Sequence, residues 1–199
     1  MKYYRIMIIN SDFAISDTRK FYSLLSGSSG AGLEISRDNK LPISLSIAKI
    51  QSMKLDWTVY LFSKPSNLSI ERTIPAFFET VASSKYISEF IGYIILINAQ
   101  YRYLDEVKYW DIQKPAQAEY YTVNRAKKQI AKLREIDPIY PMVIATYNHY
   151  LDGALEFEKM LEELELFKDE SIIQIDLDNK EKALQAIYKL FDINDISFE

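Results

Sequence analysis

The stretch RIMIINSDFAISDTRKFYSLLS, residues 5–26, decides the fold. Residues 4–9 form a short apolar run with almost no polar interruption, the pattern of a strand covered on both faces. Asn10, Ser11 and Asp12 end the run. From residue 16 onward the apolar positions take helical spacing, and Phe21, Leu24 and Leu25 fall on one side of a helix over 16–25. A strand, a polar turn and an amphipathic helix make the first half of a βα unit, and such units build parallel sheets.

The same alternation runs along the rest of the chain. Residues 26–41 are polar and hold three of the five glycines, which reads as a loop. Residues 43–53 alternate, with Ile43, Leu45 and Ile47 on one face and Ser44 and Ser46 on the other, as in a half-exposed strand. The segment SMKLDW then turns the chain into a strand over 57–62, giving a hairpin. After the break at KPSNLS, a helix is predicted over 73–82 with Phe77, Phe78 and Val81 inward. GYIILI, 92–97, reads as a central strand. A helix over 118–135 carries Val123, Ala126, Ile130 and Leu133 on one face. Next come a strand over 142–146 and a helix over 152–166 with Ala154, Phe157, Leu161 and Leu164 aligned. A strand over 171–175 and a helix over 180–191 burying Ala183, Ile187 and Leu190 complete the series. The prediction is a single α/β domain over residues 1–199, three-layered, with a mostly parallel six-stranded sheet and one antiparallel hairpin. Ligands of such sheets bind at the carboxyl ends of strands, so the loops after residues 9, 62, 97, 146 and 175 are the ones that matter.

Composition narrows the chemistry. The chain has 199 residues, no cysteine and one histidine, His149. Disulfides, thiolate catalysis and zinc–thiolate sites are excluded, as is any two-histidine metal site. One histidine also leaves no convincing Ser–His–Asp arrangement. A net charge of −4 argues against general binding to nucleic acid or anionic membrane. The N-terminus has only a short apolar run, and no run has the length of a membrane span, so a cytoplasmic protein is expected.

Five fragments, in order and at the right spacing, resemble the nucleotide loops of a Ras-like small GTPase. They are FAISDTRKFYSLLS, LDWTVYLFSKPSN, GYIILINAQ, PMVIATYNHYLDGAL and IIQIDLDNKEKALQAIYKLF. The nearest flavour is that of the bacterial and archaeal cell-polarity (gliding-motility type) GTPases. The resemblance spans nearly the whole chain, implies the Ras-like P-loop fold, and assigns each loop a register. In that register the motifs are degenerate. Phosphate cradling needs glycines and a lysine. Residues 10–17, NSDFAISD, supply neither, and Asp17 stands where the lysine would. Ser16 and Thr18 occupy the remaining phosphate and magnesium positions. Ser16 equally reads as a helix N-cap, with Asp17 a favourable first-turn charge. No threonine lies between Thr18 and Thr58 to serve the first switch. In KPSN, Ser66 stands in the glycine register and Asn67 in the glutamine register. Asn148 keeps the guanine-reading asparagine, His149 replaces the lysine, and Asp152 is displaced by one residue. Asn148 and Asp152 equally read as loop and cap residues. Residues 176–179 keep only polar character.

A different signal lies in YRYLDEVKYWDIQKPAQAEYY, residues 101–121. Tyr101, Tyr103, Tyr109 and Trp110 are aromatics set among charges, as at protein contact surfaces, or else they fold back onto the domain. The expectation is a non-catalytic pseudo-GTPase that binds proteins, with no cofactor and no metal. The resemblance implies a Roadblock- or longin-type partner or self-association. One alternative is an atypical GTPase holding GTP or GDP with magnesium through Ser16, Thr18, Ser66, Asn148 and Asp152. Another is an unrelated α/β structural subunit, whose strand-end loops would be packed shut.

Overall fold

A computed structural model describes residues 2–11, 15–26, 46–52, 57–63, 69–82, 89–100, 121–151, 153–166 and 171–196. Among these, strands β1 (Lys2–Asn10), β2 (Ser46–Ser52), β3 (Trp57–Ser63), β4 (Glu89–Asn98), β5 (Met142–Tyr147) and β6 (Ser171–Gln174) form one sheet in the order β2-β3-β1-β4-β5-β6. β1 pairs in parallel with β3 and β4, β4 with β5, and β5 with β6. β2 runs antiparallel to β3, from Ser46 opposite Ser63 to Ser52 opposite Trp57. The helices are α1 (Ile15–Ser26), α2 (Ile70–Ala82), α3 (Tyr121–Ile136), α4 (Phe157–Leu164) and α5 (Lys180–Ile193).

The sheet divides the interior into two cores. On one face Ile6, Ile8, Leu96, Ala145 and Tyr147 meet Phe21, Tyr22 and Leu25 of α1 and Ala183, Ile187 and Leu190 of α5. On the other Met7, Ile9, Ile95 and Ile97 meet Phe77 of α2, Val123, Ala126, Ile130 and Leu133 of α3, and Met160 of α4. β4 is buried from Phe90 to Asn98, which explains its unbroken apolar sequence. At Gly92 a register shift opposite Arg5 and Ile6 makes a bulge. Gly92 has φ of +136°, and a Cβ there would run into the Pro141 carbonyl oxygen. Only glycine fits that backbone and that contact.

Three sequence expectations are corrected. Helix α4 starts at Phe157, not at residue 152, and buries Met160 and Leu164. Ala154 lies outside it, bridged to Gln100, and the Leu155 N–H donates to the Ala99 carbonyl at 2.8 Å. The apolar spacing of Ala154 and Phe157 continued across a segment whose backbone bonds go to the neighbouring loop. Ser16 lies inside the first turn of α1, which begins at Ile15, so it is not the N-cap. Asp17 is the acidic residue of that turn. Helix α2 begins a turn earlier than predicted, because the Thr73 N–H and hydroxyl both bond the Ser69 carbonyl.

Candidate functional site

The carboxyl ends of β1, β4, β5 and β6 bring together Asn10, Asn98, Asn148 and residues 174–176. Asn10 and Ser11 follow the apolar run of β1. Ser11 is fully buried: its N–H bonds the Leu96 carbonyl at 3.0 Å, and its hydroxyl donates to Oε1 of Gln129 on α3 at 2.9 Å. The Asn10 amide donates to the Thr18 hydroxyl at 2.9 Å. Thr18, in the first turn of α1, is only 6% exposed. Asp17 accepts a hydrogen bond from the Tyr147 hydroxyl at 2.7 Å. Tyr147 is the last residue of β5 and is fully buried. From Asn10 to Thr18 the chain offers no lysine or arginine. The nearest lysine on α1, Lys20, is held by Asp178 at 2.7 Å. That contact raises the Lys20 pKa.

At the end of β5 the geometry is also made of internal bonds. Asn148 has φ of +65°, a left-handed backbone that asparagine tolerates better than most residues. Its amide donates to Oδ1 of buried Asn98 at 3.1 Å, and the same oxygen accepts the Gln100 N–H at 3.0 Å. Both ring nitrogens of His149 are engaged, Nδ1 with the Leu155 carbonyl at 3.1 Å and Nε2 with the Thr146 hydroxyl at 2.8 Å. A carbonyl only accepts, so Nδ1 carries a proton and donates to Leu155, while the Thr146 hydroxyl beside Nε2 also donates to the Ile173 carbonyl at 3.2 Å. The ring also stands edge-on to Phe157. Burial lowers the His149 pKa, opposed by the Leu155 bond and by Glu158. Residues 176–179 close on themselves: Asp176 accepts the Asp178 N–H, and Asn179 caps α5 by accepting the N–H groups of Glu181 and Lys182.

A cleft of about 350 Å³ remains beside Asn148, His149, Tyr150, Gln174, Asp176 and Lys182. Its lysine faces Asp176 at 3.9 Å. The volume suits a small polar ligand. No group of three or more His, Cys, Asp or Glu able to hold a metal occurs among the described residues.

Of the residues singled out in the sequence, Thr18 and Asn148 stand at this end of the sheet, each with an internal hydrogen-bond partner. The Ser16 backbone lies in α1, but its side chain is outside the described residues, as are Ser66, Asp152, Tyr101, Tyr103, Tyr109 and Trp110. Sequence reasoning passed over Ser11, Asn98, Gln129 and Tyr147. A polar residue directly after an apolar strand was the available signal for Ser11 and Asn98. Nothing local marks Gln129 or Tyr147.

The fold has a solved counterpart. The Arl6 (BBS3) small GTPase of Trypanosoma brucei, solved with a bound nucleotide analogue, GppNp, superposes with a TM-score of 0.59. The match covers 98% of each chain at 8% identity. The fold is that of a small GTPase. No protein-family model matches the sequence, and no curated protein does either. No helix among the described residues is long and apolar enough to cross a membrane.

Proposed function

We propose that this chain is a pseudo-GTPase: a small-GTPase fold that does not hydrolyse GTP and serves in the cytoplasm as a protein-interaction module. The observation that carries the reading is Asp17 in the first turn of α1, bonded to Tyr147 where the resemblance puts a phosphate-binding lysine. A carboxylate about 4 Å from a phosphate charge costs on the order of 4 kcal/mol at the effective dielectric of a protein surface. The absent glycines remove the close backbone approach that a triphosphate needs. The partner expected from the resemblance is a Roadblock- or longin-type protein or a second copy of the chain.

A second reading, an atypical GTPase that still holds guanine nucleotide and magnesium, is favoured by one feature, the polar cleft beside Asn148. Calorimetric titration with GTP, GDP and ATP, with and without magnesium, separates the two. No heat and no thermal shift up to millimolar nucleotide is expected. Micromolar binding of guanine nucleotides would overturn the pseudo-GTPase reading and make Thr18 and Asn148 contacts.

A further inference from the structure

A second opening lies away from the strand-end cleft, between the start of α2 and the outer face of α3. It measures about 240 Å³ and is lined by Ser69, Glu71, Arg125, Lys128, Gln129 and Lys132. We propose that it receives an acidic side chain, a glutamate or aspartate, from a protein partner. The inference rests on the interaction-module reading and gives that reading a chemistry.

Four observations converge on a carboxylate. Three of the lining side chains are cations and one is an anion. Lys132 is already engaged, with Glu135 at 2.9 Å and Glu71 at 3.8 Å. Lys128 makes no ion pair or hydrogen bond among the described residues, so its charge is uncompensated there. Gln129 is more than nine-tenths buried, and its carbonyl oxygen is used by Ser11. Its amide nitrogen has no partner among the described residues and is not sealed from solvent. A fixed donor at the floor of a groove with cations above it is a carboxylate receptor. Ser69, Ile70 and Glu71, at the start of α2, line the same groove, and a helix N-terminus favours negative charge.

Size and charge select the ligand. The groove is smaller than the roughly 300–1,000 Å³ of drug-sized sites, so it admits a side chain rather than a nucleotide. Glu71 stands in the wall and would repel a doubly charged phosphate more than a singly charged carboxylate.

The test uses the full chain and three probes: an N-acetylated hexaglutamate peptide, its hexaglutamine counterpart and free glutarate. Binding is read by calorimetry and by amide chemical shifts. Saturable hexaglutamate binding with shifts on α2 and α3 is expected, and no binding of hexaglutamine. Lys128→Glu should weaken hexaglutamate by about tenfold or more, the scale of one removed charge-assisted contact. Lys180→Glu, an exposed reversal at the start of α5 on the opposite face, should change it less than about twofold. Equal weakening by both variants, shifts elsewhere, or no saturable binding by the wild type would overturn the proposal. Glutarate binding as tightly as the peptide would also overturn it, in favour of a free dicarboxylate. Guanine nucleotide binding would sink the pseudo-GTPase reading and leave these results standing, so the two failures are distinguishable.

Discussion

The Tyr147 hydroxyl and the Asp17 carboxylate meet at 2.7 Å, 130 residues apart in the chain. The bond ties the end of β5 to the first turn of α1 and gives a half-buried carboxylate a donor. Tyr147→Phe removes that donor and little volume. We expect it to lower stability by about 1–2 kcal/mol, measured by urea unfolding. Asp17→Asn in the Tyr147→Phe background should cost much less than in the wild type, because the cycle then lacks its pairwise interaction.

His149 makes stability depend on pH. Its pKa in the folded chain lies below the ordinary value of 6.5, chiefly because burial penalises the charged ring. The unfolded chain therefore binds the proton more tightly. Stability is fully present above pH 6.5 and is lost as pH falls through that value toward the folded pKa. Unfolding midpoints of the wild type should fall between about pH 7.5 and pH 5. His149→Gln should be less stable at neutral pH and show a shallower fall. An equal fall in both proteins would place the pH dependence elsewhere.

Gly92→Ala tests the bulge in β4. The added methyl meets a backbone carbonyl, which cannot rotate aside as a side chain would, and φ of +136° is strained for alanine. We expect a loss of about 2–4 kcal/mol, or failure to accumulate as folded protein. Neutral behaviour in thermal unfolding would show that the bulge is able to relax.

Sequence patterns made the architecture legible where burial has a period. The apolar runs of β1, β4 and β5 and the inward residues of α3 and α5 are core residues in the structure. The start of α4 was illegible for a physical reason. Ala154 and Leu155 are apolar at helical spacing, but their backbone groups serve the loop after β4. The strand-end residues Thr18 and Asn148 were readable from register, yet their partners were not. Asn10 with Thr18, Asn98 with Asn148 and Asp17 with Tyr147 are tertiary pairings that no local pattern encodes. The Lys128 and Gln129 groove was likewise hidden, since one polar turn of a helix resembles any other until its neighbour is placed.

The peptide group of Ala99 has a consequence for how this chain can vary. Its N–H bonds the Tyr147 carbonyl at 2.9 Å and its carbonyl accepts the Leu155 N–H, so one residue clamps two loops together. A clamp of this kind fixes length as well as position. An inserted residue between Asn98 and Gln100 would break both bonds at once. Insertions and deletions should therefore be excluded from residues 98–100, a constraint that a library of single-residue insertions would reveal directly.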